Sequence, residues 1–321
     1  MQKVDFDVAI IGAGPAGAAA ALCLPEGISV AHLDRGGPAR EKLCSGLLTE
    51  EAQRALAAIF GKYNLPPEVA APPNINVLRY VDFDNNVTMT LPVKYASMHR
   101  ANFDRWLLSK IKRDGYKTLW GAVVTAVARE DHTFKIDYLL DGEKKSLSAR
   151  FVIDASGWAA ITRGENGFAR PVRRFAMQAV FPGGGAKEFR AFFHEGHTDW
   201  FGWTVPKEDM VLAGIGFAQE PDTYSGNGSG AQASKAHKRA RRAAEKAGHG
   251  APHADGNGAA KQNRLLSFAK FLSMLSEKGW LEVPGLPAPD DLDAIKEFNR
   301  IFPVKGSPIT TITSIKQVHL G

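Results

Sequence analysis

Three glycines, Gly12, Gly14 and Gly17, stand in "GAGPAG" between an apolar run, "DVAII", and an alanine-rich run, "PAGAAAALCL". In a strand–turn–helix unit the first glycine permits the tight turn and the second lets backbone approach a pyrophosphate. The third lets helix and strand pack closely. Pro15 and Ala16 open the helix, whose first N–H groups have no intrahelical partner and carry partial positive charge, an arrangement that attracts phosphate. Asp34 ends the next apolar run, "SVAHLD", and Arg35 follows it. A carboxylate there can accept both hydroxyls of a ribose and repel a 2′-phosphate. The chemistry is binding of an unphosphorylated ADP-ribose moiety, and this pattern by itself fits NAD and FAD equally.

Further residue types could act on a bound molecule. Cys44 lies in "EKLCSGLL", with Lys42 and Arg40 supplying positive charge nearby. Either the thiol serves chemistry or a small residue fills a tight turn. Phe201 and Trp203, two apart in "WFGWTVP", share one face of a strand and, with Pro206, suit an apolar pocket wall. His194 and His197, with Glu195 and Asp199, include metal-ligand types. Their i, i+3 spacing suits a helix, whereas the local pattern is strand and turn, so no metal site is expected. Cys23, inside the first helix, is expected in the core.

The elements that must position these residues follow from periodicity. The first 60 residues read strand, turn, helix, strand, loop, helix. "NLPPEVAAPPN" marks a crossing out of this unit, and "INVLRYVDFDNNVTMTLP" reads as two strands joined around Asn85 and Asn86. "RANFDRWLLSKIKRDG" is an amphipathic helix with Phe103, Leu107, Leu108 and Ile111 on one face. "AVVTAVARE", "TFKIDYLLDG" and "SLSARFVIDAS" alternate as meander strands, the last returning to the nucleotide sheet. Further strands fall near "RFAMQAVF", "EFRAFFHE", "WFGWTV" and "VLAGIGF".

A chain of 321 residues with 44% hydrophobic content has room for two cores. Its two cysteines cannot form a disulfide framework, so a cytoplasmic setting is expected. The acids in "MQKVDFD" argue against a targeting segment. Nearly all of the net charge of +6 sits in "KAHKRARRAAEK", which has six Lys/Arg against one acid. The rest is near neutral, so nucleic acid is not expected as a partner. Residues 225–260, Gly-rich with only Ala among apolar types, read as a solvated insertion or as a basic tether to acidic lipid head groups.

Read together, these segments resemble one family. "DFDVAIIGAGPAGAAAA" resembles the opening of flavoprotein monooxygenases, halogenases and geranylgeranyl reductases, where the loop holds the ADP half of FAD. "EKLCSGLLTEEAQRAL" is similar to the K-x-C-G-G-G/L segment of the geranylgeranyl-reductase group, including its bacterial CbrA-like branch. "HRANFDRWLL" resembles that group's R-x-x-F-D-x-W/L-L helix. "DASGWAAITR" resembles its second flavin motif, matched at Asp154, Gly157 and Arg163, and "WFGWTVPKEDMVLAGIGF" its strand pair over the substrate pocket.

The resemblance implies an α/β fold: a Rossmann-like FAD-binding domain of the aromatic-hydroxylase type, with a second, mainly antiparallel β-sheet substrate domain. It divides the chain into FAD-domain parts 1–75 and 98–165, substrate-domain parts 76–97 and 166–305, and 306–321 returning towards the FAD domain. It implies FAD contacts from Gly12, Gly14, Pro15, Ala16, Gly17, Asp34, Arg35, Lys42, Cys44, Ser45, Gly46, Arg100, Val124, Asp154 and Gly157. Arg100 would pair with the pyrophosphate or the N1/O2 edge of the flavin. Cys44 would shape or protonate the reduced alkene, and Phe201, Trp203 and Pro206 would line the pocket. The implied function is reduction of C=C bonds in an isoprenoid or other apolar substrate, with NAD(P)H or ferredoxin as reductant and peripheral membrane contact. A monooxygenase or halogenase, and a flavin-binding protein without turnover, are the alternatives. Three departures stand out. Ser45 replaces the usual Gly, Ala160 replaces the usual Ser, and the sequence stops at Gly321 before the family's G-D-A-x-G motif, from which weak FAD binding is expected.

Overall fold

A computed structural model of the chain describes residues 3–38, 41–61, 64–162, 172–183, 187–218, 256–289 and 291–311. Two compact units emerge, one of residues 1–219 with 302–321 and the other of residues 220–301.

The first unit holds two sheets. The six-stranded sheet has β1 (Phe6–Ile11) at its centre, flanked in parallel by β2 (Val30–Asp34) and by β9 (Glu143–Asp154). Outside β2 lies β6 (Tyr116–Trp120), also parallel. Outside β9 come antiparallel β8 (Thr133–Leu140) and β7 (Val123–Glu130). Val8 to Ile11 are all buried, as a parallel strand covered on both faces requires. Helix α1 (Pro15–Cys23) follows β1 directly, and α3 (Arg100–Ser109) packs beside it. Helix α3 buries Phe103 and Leu107 as its apolar spacing predicts. Helix α2 (Glu50–Phe60) starts at Thr49, whose hydroxyl accepts from Ala52 N, and ends at Gly61.

The eight-stranded sheet runs β14-β10-β13-β12-β11-β4-β5-β3. Its members are β3 (Leu47–Leu48), β4 (Ile75–Asp82), β5 (Val87–Ser97), β10 (Val172–Pro182), β11 (Phe189–Phe193), β12 (Gly202–Lys207), β13 (Met210–Ala218) and β14 (Lys305–Thr311). Every pairing is antiparallel except that of β11 with β4. Residues 305–311 pair with β10 as an edge strand of this sheet and also approach the Gly157–Ala159 turn that follows β9.

The second unit contributes α4 (Gly256–Glu277) and α5 (Leu292–Ile301). Phe268, Phe271, Leu272 and Leu275 are fully buried on α4, as are Ile295 and Phe298 on α5 to within a few per cent. Residues 225–255 of the expected insertion lie outside the described residues, and Gly256–Ala260 belongs to α4 rather than to a solvated loop. Among the described residues no helix is long and apolar enough to cross a membrane.

Candidate functional site

The glycine turn joins β1 to α1 at the carboxyl edge of the parallel sheet, with β2 on one side of β1 and β9 on the other. Gly12 has φ +104°, and a Cβ there would stand 2.4 Å from the Ala155 carbonyl oxygen. A Cβ on Gly17 would lie 1.9 Å from Gly12 O, so helix and turn meet only because both positions are bare. Gly14 caps α1 with no side-chain hydrogen bond, and the first turn carries no acid. That end of the helix therefore keeps the unshielded N–H groups that suit a phosphate.

Asp34 sits beside this turn, but its carboxylate faces backbone. Oδ2 accepts from Ala13 N at 2.6 Å and Oδ1 from Gly36 N at 2.7 Å. Asp34 therefore braces the glycine turn from the position where a ribose is expected. His32 braces the turn from below. Its Nε2 donates to Gly12 O at 3.0 Å, so Nδ1 accepts from the Tyr116 hydroxyl at 2.6 Å. Burial holds the imidazole below its ordinary pKa despite the Gly12 carbonyl and Asp34.

A cleft opens alongside, lined by Ala13, Asp34, Gly37 and Pro38 and closed by Asp104, Leu108 and Trp120. Asp104 and Trp120 were not singled out from sequence, and Leu108 was read only as part of the apolar face of its helix. Trp120 ends β6, opposite Asp34 in register, and Asp104 and Leu108 share a face of α3. Asp154 lies across from Ile11, and its carboxylate accepts from Ser156 and Thr162, backbone and hydroxyl in each case, at 2.5–2.9 Å. Burial opposes its ionisation, yet these bonds outweigh it and hold the carboxyl below its usual value. Asp154 thereby folds its own loop, in which Gly157 is exposed and Ala160 takes φ +44°.

A second cluster surrounds Cys44. Its sulfur accepts from Gly46 N at 3.3 Å, and Gln178 reaches its carbonyl at 3.4 Å. Arg100 gives Nε to Asp104 at 2.6 Å. Burial disfavours its charge, but Asp104 and then Cys44 raise its pKa. Because Asp104 also lines the cleft, α3 ties the two clusters together. Lys207, also missed from sequence, is 9% exposed and donates to Gly46 O, Ser97 Oγ and Met98 O.

The wall beside this cluster is made by β12. Trp203 is buried with Ala176, Val205 and Leu212, and Leu43, Leu47 and Phe201 pack against them. The indole occupies room left by Gly214, where a Cβ would come within 2.3 Å of the ring. Among the described residues its N–H finds no acceptor. Strand alternation places Trp203, Val205 and Lys207 on one face and Pro206 on the other, so Pro206 is removed from that wall.

Val124 buries its side chain with Ile136 and Tyr138, leaving only its backbone for a nucleotide. Cys23 is exposed, not core, because it ends α1 on the side away from β1. Arg35 is exposed, while Lys42 and Ser45 are half-buried. Arg40 and Arg163 lie outside the described residues. His194 and His197 pack with centroids 4.5 Å apart and their rings tilted by 41°, and among the described residues no three His, Cys, Asp or Glu side chains gather as metal ligands.

Comparison with known proteins bears on this geometry. The FAD binding domain family matches residues 5–214. Protein CbrA of Escherichia coli O9:H4 (strain HS) is 30% identical over 215 residues, covering 65% of this chain and 58% of the relative, so the chain spans less than two thirds of that protein's length. A geranylgeranyl bacteriochlorophyll reductase-like protein from Thermoplasma acidophilum superposes with TM-score 0.54 at 18% identity, over 66% of this chain and 56% of the other. The p-nitrophenol 4-monooxygenase of Pseudomonas putida DLL-E4 superposes with TM-score 0.55 at 15% identity, over 96% and 68%.

Proposed function

The chain belongs to the FAD-binding domain family, its cofactor is FAD, and on that premise we propose that it is an FAD-dependent oxidoreductase that reduces C=C bonds of an isoprenoid or other apolar substrate. The observation that carries the reading is the apolar face of β12, with Phe201 and Trp203, packed against Leu43 and Leu47 on either side of the Cys44 turn.

The residues present fit the cofactor. Gly12 to Gly17 and the bare end of α1 would hold the pyrophosphate, and Asp34 with the Trp120 and Leu108 wall the adenosine half. Bound FAD would supply hydride chemistry. The protein's part is to hold an alkene beside the cofactor, to exclude water with Trp203, Val205 and Leu43, and to hold a proton on Cys44 Sγ. An electron donor such as NAD(P)H or ferredoxin completes the reading.

The test is anaerobic. Chain loaded with FAD and reduced by dithionite should be reoxidised by geranylgeraniol, giving a product two mass units heavier. Cys44→Ala should slow that step by about 10²-fold, the lower range for losing a general acid, and flavin reduction by less than about twofold. Equal slowing of both steps would make Cys44 structural. No reoxidation by the alkene, with hydroxylation of a phenol in air, would favour the monooxygenase reading instead. Phe201-x-Trp203-x-Val205-Pro206, related to the W-x-W-x-I-P of halogenases, is what keeps that second reading in view.

A further inference from the structure

Lys207 is a charged side chain taken out of water, and among the described residues no carboxylate is bonded to it. It lies at the end of β12, and its ammonium has three N–H donors. All three are matched: Ser97 Oγ at 2.6 Å, Gly46 O at 2.8 Å and Met98 O at 3.3 Å. The acceptors belong to two segments that are otherwise far apart in sequence, the turn after Cys44 and the end of β5. Those segments meet where β3 pairs with β5, Leu47 opposite Ser97, and Met98 N adds a bond of 2.8 Å to the same Gly46 carbonyl.

The turn is shaped around the ammonium. Gly46 has φ +65°, and a Cβ there would lie 2.2 Å from Met98 O and 2.8 Å from Lys207 Nζ. The next bond in the chain of contacts runs from Gly46 N to Cys44 Sγ at 3.3 Å. Holding the Gly46 peptide therefore fixes the direction of the Cys44 thiol. Were this volume needed only for packing, a methionine would fill it without the desolvation cost of an ion. That cost is visible in the amine, which burial pushes down to about 8 although Cys44 and Glu208 favour its charge.

We propose that Lys207 is the positioning residue of the Cys44–Gly46 turn: it touches neither cofactor nor substrate, and its saturated ammonium pins Gly46 to the end of β5 so that Cys44 is presented at a fixed place beside the flavin. The last clause rests on the function proposed above; the pinning does not.

Amide hydrogen exchange on the full chain separates the two. Without FAD, Lys207→Met should raise exchange in peptides covering 41–49 at least tenfold, with peptides covering α1 unchanged. Ser97→Ala, which removes one acceptor, should raise it about threefold, and Lys207→Arg should stay within threefold of the wild type. With FAD, Lys207→Met should weaken binding about tenfold and shift the long-wavelength flavin absorption band, and Lys207→Arg should restore both. Unchanged exchange over 41–49 in a folded Lys207→Met chain would overturn the proposal. So would a general rise in exchange, α1 included, that Met and Arg share and Ser97→Ala lacks. If FAD binds the wild type without slowing exchange over 41–49, the turn is not beside the flavin, and the reading of function fails while the pinning stands.

Discussion

Both oxygens of Asp34 face backbone N–H groups, Ala13 at 2.6 Å and Gly36 at 2.7 Å. A residue placed in this way acts on the nucleotide partly through the turn it braces. Asp34→Ala leaves two amides without their partner and removes the carboxylate from the cleft. FAD affinity should fall by about 1–3 kcal/mol, the scale for losing hydrogen bonds to a charged group. A fluorescence titration with FAD reads the change, and unchanged affinity would remove Asp34 from the site. Lys207 gives a second expectation at this scale, in pH. Its amine titrates at an ordinary 10.5 in the unfolded chain and about 8 in the folded one. Between those values the unfolded chain holds more of the proton, so the stability this residue contributes is full above 10.5 and is lost as pH falls through 8. Cys44 and Glu208 face the amine and oppose the shift without cancelling it. Urea midpoints of wild type and Lys207→Met should therefore diverge in favour of the wild type from pH 8 to 10.5, by up to about 3 kcal/mol. Parallel curves would mean the amine is not buried as described.

Strand β13 shows how an element makes room for a site. It runs between β10 and β12, and its Gly214 and Gly216 lie under Trp203 and Trp200. A methyl group on Gly214 would come within 2.3 Å of the Trp203 ring, and one on Gly216 within 2.2 Å of the Trp200 ring. Gly214→Ala should cost about 1–3 kcal/mol of stability, the usual range for overpacking a closed core. Trp203→Leu in the same chain should return much of that loss, since the nearest atoms to the added methyl are all of the indole. Chemical denaturation of the single and double variants checks this, and additive losses would refute the pairing.

What the sequence disclosed about elements follows the same logic. Strand β1, the glycine turn, α1 and β2 are local: periodicity, Pro15 and three glycines suffice to place them. Strand β6 escaped because "YKTLW" is short and mixes Lys with apolar types, and its identity as a strand comes from pairing with β2. Trp120 escaped with it. Lys207 was open to detection, because Trp203 and Val205 already define the inward face and 207 continues it; a lysine after a proline simply reads as surface. Helix α4 also left a signal, Phe268, Leu272 and Leu275 at helical spacing, which the Gly-rich stretch before it obscured. The Arg100–Asp104 pair is an i, i+4 contact on α3 that helical spacing does encode, whereas the bond from Ala13 N to Asp34 joins residues 21 apart and is a tertiary fact.

At the scale of the whole molecule the charge is the feature that stands apart from the fold. Of a net +6, the segment 235–246 carries six Lys/Arg and one acid, so its removal takes away +5. Attraction of a phosphate to the glycine turn is a different matter: it comes from backbone N–H groups at the end of α1 and falls off within that first turn. The two kinds of anion recognition should therefore separate cleanly. Deleting 235–246 should leave the FAD dissociation constant within about twofold of its original value. Sedimentation with vesicles containing phosphatidylserine should fall sharply, since each Lys or Arg near an anionic surface contributes about 1 kcal/mol. Any vesicle binding of the intact chain should also weaken as salt rises from 0.05 to about 0.5 M, because the Debye length shrinks below the distances over which exposed charges act. Vesicle binding that survives the deletion, or that ignores salt, would place membrane contact on an apolar surface of the folded part and exclude the basic segment as its cause.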